Sequence, residues 1–146
     1  MFKHVIKYDD FDGNTYEEEF CFNISKGEIV EMELSEESGL EGLIDRMIKE
    51  KDRKKLVELF RTLIAMSVGV KEGKRFVKNE EIRRDFMESN AYSEFLIELL
   101  SNEQTRAAFV LEAFPNDGKR TIDEAIAEMN KGSKEFDKVW NTESVK

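Results

Sequence analysis

A thiol and an imidazole are the side chains of this chain best suited to nucleophilic chemistry, and each occurs once, as Cys21 and His4. Catalysis by such a pair needs the two groups within hydrogen-bond reach and a third group that orients the ring. Both residues lie in segments that we predict to be adjacent strands, but the sequence offers no evident orienting group. We therefore interpret Cys21 as a half-buried structural thiol and expect no enzyme. One cysteine also excludes an internal disulfide or a zinc site of several thiolates.

Oxygen ligands for a cation are concentrated between the two predicted strands. Asp10, Asp12, Gly13 and Glu19 fall at the third, fifth, sixth and twelfth positions of an EF-hand calcium loop. The first position is Tyr8, which brings no carboxylate, and strands rather than helices flank the segment. A hairpin turn is therefore favoured over a calcium site, and we expect no metal.

A basic segment bounded by glycines, from Gly69 to Arg75, is superficially similar to a phosphate-binding loop. Only three residues separate Gly69 from Gly73, however, and Arg75 stands where the Walker sequence requires Ser or Thr. We therefore expect neither a nucleotide nor any other cofactor. Two interpretations stay open, a solvated loop anchored by Phe76 or a contact with an acidic patch on a partner.

Two periodicities predict the elements that position these residues. Alternation over residues 2–8 and 16–22 predicts strands, and the turn residues between them predict a hairpin. The run from Glu17 to Glu19 lies along one edge, where charge discourages pairing with other chains. From Ser25 onward the apolar spacing becomes helical. The predicted helices begin near Ser25, Leu40, Asp52, Asn79 and Asn102, and a further helix carries Tyr92, Phe95, Leu96 and Leu99.

These elements predict an α+β fold that is mostly helical, with an N-terminal β-hairpin packed on a small α-helical bundle. A chain of 146 residues fits one domain of this kind. Pro115 is the only proline, and the turn residues after it mark the one weak boundary. We therefore predict a domain over residues 1–115 and a C-terminal amphipathic helical extension over 116–146.

Charge and hydropathy exclude several classes of protein. The net charge is −9, with 23 basic residues interspersed among 32 acidic ones, which argues against nucleic-acid binding. No apolar run approaches the roughly 20 residues that a bilayer span needs, and the first residues lack the apolar stretch of a secretory signal. We therefore expect a cytoplasmic protein that binds neither nucleic acid nor membrane.

Large apolar side chains are concentrated in the last third of the chain. The predicted helix from Ala107 to Phe114 is apolar on most sides and must be buried in the fold or against a partner. Before Pro115 a place in the core is favoured over a partner surface, and after it both interpretations remain open. The candidate partner-binding residues are Phe109, Leu111, Phe114, Ile122, Ile126, Met129, Phe136 and Trp140.

Several of these segments occur in an order and spacing that resemble a known family. They are Lys7-Tyr8 before the turn from Asp10 to Asn14, the segment Phe20 to Lys26, the block Phe60 to Phe95, and the helix Ala107 to Pro115. Over roughly residues 5–115 the chain resembles the tail assembly chaperones of long-tailed, non-contractile bacteriophages, the siphophages. The simplest members of that family would stop near Pro115, and this chain continues beyond it.

The resemblance implies a non-enzymatic assembly factor in the host cytoplasm. Such a protein binds the long, apolar, helical tape measure protein, keeps it soluble and helps recruit tail tube protein subunits around it. It leaves before the tail is complete, so the mature virion would lack it, and it can also self-associate. The alternative, motivated by the charge of −9 alone, is a small acidic adaptor or inhibitor that mimics DNA and binds a basic host or phage protein.

Overall fold

A four-stranded antiparallel sheet and five helices make up residues 1–35 and 52–114, the part of the chain that this computed structural model describes. The strands are β1 (Phe2–Asp9), β2 (Thr15–Phe22), β3 (Val68–Glu72) and β4 (Arg75–Val77), and they neighbour one another in that order. The helices are α1 (Lys26–Ser35), α2 (Arg53–Ser67), α3 (Glu80–Met87), α4 (Asn90–Ser101) and α5 (Glu103–Ala113). The predicted α+β class is confirmed.

The N-terminal hairpin forms where alternation and turn chemistry predicted it. The backbone N–H of Asp10 donates to the carbonyl oxygen of Asn14 at 2.8 Å, and that of Gly13 donates to the carbonyl oxygen of Asp10 at 3.2 Å. Gly13 has a φ of +85°, a left-handed conformation that glycine adopts at low cost. This loop over residues 10–14 sets the register, which pairs Phe2 with Phe22 at one end of the ladder.

The register divides the hairpin into two chemically different faces, because directly opposed residues lie on the same face. The inner face carries Phe2 and Ile6, which are buried under the helices. The outer face carries Lys3, Val5 and Lys7, all exposed. Alternation in β1 therefore predicted both faces correctly.

The segment after α2 forms a second hairpin. β3 pairs with β2 through Cys21 opposite Gly69 and with β4 through Val70 opposite Val77. The interpretation of the segment from Gly69 to Arg75 as a loop was wrong, because most of it lies in the paired strands β3 and β4. The exposed edge of β2 supplies a pairing partner that local composition does not reveal, so the hairpin-on-bundle architecture becomes a four-stranded sheet with helices.

The helix starts follow from side chains that satisfy otherwise unpaired backbone amides. Asp52, Asn79 and Asn102 accept hydrogen bonds from N–H groups two or three residues later, at 3.0, 2.8 and 3.0 Å. Ser25 and Glu28 form the reciprocal capping box. These predicted starts are confirmed. The stripe predicted from Leu40 to Ile48, the boundary at Pro115 and the extension over 116–146 lie outside the described residues.

The core is an aromatic cluster between the inner face and the helices. Phe95 of α4 is completely buried, and its ring centroid lies 4.7 Å from that of Phe22 and 5.5 Å from that of Phe109 of α5. Phe86 of α3 meets Phe22 edge-on at 5.5 Å. Apolar residues of α2 fill the same cluster, so all described elements except β4 contribute to one core. Its α2 members are Leu56, Phe60, Leu63 and Ile64.

Gly69 is required where the two hairpins meet. A Cβ added at Gly69 would lie 2.6 Å from ring carbon Cε2 of Phe76 and 2.7 Å from Cγ of Lys78. We expect Gly69→Ala to lower the free energy of unfolding by about 1–3 kcal/mol, because ring and stem must both shift. Urea denaturation measures this change. Gly27→Ala is the control, since the nearest atom there lies at 3.9 Å, and equal loss in both variants would contradict the prediction.

Candidate functional site

Two stacked tyrosines extend the inner face beyond the aromatic core. Tyr8 and Tyr16 are opposite each other in the ladder, with ring centroids 5.7 Å apart and planes inclined by 26°. The Tyr8 hydroxyl donates to Glu18 Oε1 at 2.9 Å, and Glu18 is on the same face because it is opposite Ile6. We call Tyr8, Tyr16, Glu18 and the neighbouring Asp10 the distal patch.

Electrostatics in the distal patch couple the rings to the carboxylates. Burial and the hydrogen bond to Glu18 raise the pKa of Tyr8 to about 12. The negative charge of Asp10 and a hydrogen bond to it raise the pKa of Tyr16. Hydrogen bonds from the backbone and side chain of Asn14 lower the pKa of Asp10. At neutral pH the patch therefore presents protonated phenols beside an ionised Asp10.

The Asp10 carboxylate shapes the turn. Its Oδ1 accepts the N–H of Asp12 at 2.9 Å and of Asn14 at 2.8 Å, and its Oδ2 accepts Nδ2 of Asn14 at 3.1 Å. The interpretation of the segment as a hairpin turn is confirmed. Across residues 1–35 and 52–114, no group of three or more His, Cys, Asp or Glu side chains is placed to hold a metal ion.

His4 and Cys21 lie on opposite faces of the hairpin. Cys21 is opposite Lys3 and therefore belongs to the outer face, whereas His4 is opposite Phe20 on the inner face. The His4 ring instead forms a partly buried hydrogen bond with the carboxylate of Glu98 of α4. Burial raises the pKa of the Cys21 thiol, which favours the less reactive protonated form. The two side chains therefore cannot act as a dyad.

Lys78, directly after β4, joins two helices and the segment between β2 and α1. Its Nζ donates to the carbonyl oxygens of Asn23, before α1, and Met66, in α2, each at 3.0 Å. It also forms an ion pair with the Glu28 carboxylate of α1. The Lys78 side chain is 15% exposed, so these contacts form largely away from water. We call this group the Lys78 junction, and its role is to hold α1 against α2 and the second hairpin.

The Lys78 junction predicts an acid-sensitive component of stability. Burial opposes ionisation of Glu28, but the hydrogen bonds from Lys78 and Ser25 outweigh it and lower its pKa. Because the folded-state pKa is below the unfolded one, this contribution is present above the unfolded pKa and is lost as pH falls through the folded pKa. Urea titrations across that acidic range should show a smaller fall for Glu28→Gln than for wild type. Identical pH profiles would contradict this assignment.

The predicted partner-binding residues fall in two groups. Phe109 and Phe114 are buried in the core, and Leu111 is half-buried on α5. The core interpretation that was favoured before Pro115 therefore applies to the two phenylalanines, and partner binding by these residues stays a prediction. The other candidates lie outside the described residues. They are Ile122, Ile126, Met129, Phe136 and Trp140.

Sequence reasoning missed Arg106, a charged residue that the fold buries between two consecutive helices. Arg106 is 2% exposed, and its Nη1 donates to the Leu99 carbonyl oxygen at 2.9 Å, where α4 gives way to α5. Charged residues are seldom buried, so no local signal indicates this role. Tyr8, Tyr16 and Glu18 were recoverable, because alternation and a correct turn place all three on one face.

The described residues define a small α+β protein that carries an exposed aromatic and acidic surface on a hairpin and a well-packed core beneath it. No helix within residues 1–35 or 52–114 has the length and apolarity to cross a membrane. Residues 1–145 match the family model described as phage tail assembly chaperone, and the chain belongs to that family of non-enzymatic assembly helpers. No curated protein and no solved structure gives a match.

The family match confirms the resemblance and extends it. The resemblance covered roughly residues 5–115, whereas the family model continues to residue 145. The residues after Pro115 are therefore part of what the family shares rather than a departure from it. The boundary between a 1–115 domain and a 116–146 extension stays a prediction.

Proposed function

We propose that this protein binds the tape measure protein of its phage, keeps it soluble and helps recruit tail tube subunits around it. It acts in the host cytoplasm and leaves before the virion is complete. The observation that carries the proposal is membership of the phage tail assembly chaperone family over residues 1–145. Assembly of a tail requires protein partners. A long apolar helical protein aggregates readily, so it is the tail component that most needs a chaperone.

The surface of the described residues suits such a role. The net charge of −9 opposes aggregation of the protein and its complexes. Large apolar side chains nevertheless reach solvent at several places, and apolar helices of a partner dock on such side chains. Those of the first hairpin are Val5, Phe11 and Tyr16.

Co-expression provides the test. Fragments of the tape measure protein from the same genome are expressed alone and with this chain, and the soluble fraction of each fragment is measured. We expect the chaperone to raise that fraction, and fragments that stay equally insoluble would overturn the proposal. An unrelated acidic protein of similar size is the control, because charge alone should not solubilise the fragments.

Recruitment of tube subunits is tested separately. Purified tail tube subunits are mixed with the chaperone, with the soluble tape measure complex, and with both. Size-exclusion chromatography should show the tube subunit co-eluting with the tape measure complex only when the chaperone is present. Co-elution without the chaperone would limit the function to solubilisation.

A further inference from the structure

We propose that the distal patch, together with Phe11 at the tip of the hairpin, binds an apolar segment of the partner that carries a lysine or arginine. This inference rests on the proposed function and names the surface and the chemistry through which it operates. A cationic side chain would lie against the tyrosine rings, between the carboxylates of Asp10 and Glu18, while neighbouring apolar side chains of the segment would cover Phe11.

The exposure of Phe11 is the first observation. Phe11 is 79% exposed, the highest value among the large apolar residues of 1–35 and 52–114. The turn does not need it, because Asp10, Asn14 and Gly13 supply the hydrogen bonds and the left-handed conformation. An aromatic ring that neither packs in the core nor shapes the turn is available for contact with a partner.

The tyrosine stack is the second, independent observation. Tyr16 is 41% exposed although it continues the row of rings that begins in the core. That row runs from Phe20, whose ring centroid lies 6.1 Å from that of Tyr8, to the Tyr8–Tyr16 stack. The helices cover Phe20 through Phe86, at 5.0 Å, but leave Tyr16 open. The inner face therefore offers an aromatic surface beyond the part that the fold uses.

Charge selects the occupant of this surface. In the part of the chain that the structure describes, neither Asp10 nor Glu18 forms an ion pair with a lysine or arginine. Aromatic faces attract cations, and nearby carboxylates add to this attraction. Arginine suits the patch especially well, because its planar group stacks on rings while its N–H groups reach carboxylates. A segment without a cation would lose this electrostatic attraction to the carboxylates.

A matched pair of variants tests the proposal. Glu18 lies on the inner face beside Tyr8, whereas Glu17, the preceding residue, lies opposite Lys7 on the outer face. Glu18→Gln and Glu17→Gln change the net charge equally. We expect Glu18→Gln to weaken binding of a cation-bearing tape measure segment by roughly five- to tenfold and Glu17→Gln to change it by less than about twofold. Equal weakening would overturn the proposal.

The probe is a fluorescently labelled synthetic tape measure segment that contains lysine or arginine, together with the same segment carrying glutamine at those positions. Fluorescence anisotropy with the full-length chain gives the dissociation constants. The glutamine segment should bind wild type and Glu18→Gln equally. Its glutamine has already removed the contact between the cation and Glu18, so the substitution in the protein has nothing further to remove. A glutamine segment that binds wild type as tightly as the native one would also overturn the proposal.

Phe11→Ala tests the apolar contribution, with Ile97→Ala on α4 as its control, since Ile97 is also exposed at 59%. Circular dichroism checks that both remain folded. We expect only Phe11→Ala to reduce binding and the soluble fraction in co-expression, and equal behaviour of the two would overturn the proposal.

The two proposals fail in different ways. If the wild-type protein solubilises the tape measure protein and all variants still bind it, only the assignment of this surface is refuted. If the wild-type protein does not solubilise the tape measure protein, the proposed function itself is refuted.

Discussion

Phe95→Ala should lower the free energy of unfolding by about 3–5 kcal/mol, the largest effect that we expect from any single substitution here. Phe95 is fully buried, and its ring meets rings from both strands of the first hairpin and from two other helices. Truncation removes these contacts and leaves a cavity that the surrounding rings cannot close. Because small domains are stable by only about 5–15 kcal/mol, a substantial unfolded population should appear under mild denaturant.

Urea denaturation followed by far-ultraviolet circular dichroism measures this loss. Ile97→Ala, two residues further along the same helix, is the matched control, because Ile97 is exposed and its removal should change stability by less than about 0.5 kcal/mol. If the two variants unfolded at the same urea concentration, the assignment of Phe95 to the centre of the core would be wrong.

Lys78→Met should cost about 2–3 kcal/mol, the second-largest effect. Methionine retains much of the apolar stem but removes the donor shared by the carbonyl oxygens of Asn23 and Met66 and the cation that pairs with Glu28. Partly buried acceptors that lose their donor carry an uncompensated desolvation cost. The loss should therefore exceed that of an ordinary surface ion pair.

Lys74→Met serves as the control for Lys78→Met. Lys74 is exposed in the turn of the second hairpin, and its substitution changes the net charge by the same amount. We expect Lys74→Met to leave the urea midpoint nearly unchanged. Equal destabilisation by the two substitutions would show that charge rather than the Lys78 junction is responsible.

Local signals predicted the parts of the fold that depend on neighbouring residues. The first hairpin follows from alternation and from Asp10 and Gly13, and three helix starts follow from single capping residues. β3 was missed because its five residues carry only weak alternation and gain their stability by pairing with β2, which lies far away in sequence. The Lys78 junction was missed for the same reason, since its partners in α1, α2 and the segment before α1 lie far from Lys78 in sequence.

The candidate site was predictable in part. Alternation placed Tyr16 and Glu18 on the same face as Phe20, so their chemistry was visible in the sequence. Which part of that face the helices would cover was not visible, because it depends on how α3 packs against Phe20. Helical spacing likewise indicated apolar contacts for Phe109 and Phe114 but did not distinguish a core from an interface.

The contact between Phe2 and Phe109, whose ring centroids lie 5.7 Å apart, bears on the timing of folding during translation. The first strand leaves the ribosome long before the helix that completes its hydrophobic environment. At typical elongation rates of about 5–20 residues per second, the hairpin waits roughly 5–20 s with part of its inner face open to solvent. During that interval the nascent chain itself presents an apolar surface, so the charged run from Glu17 to Glu19 on the edge of β2 protects it from pairing with other growing chains.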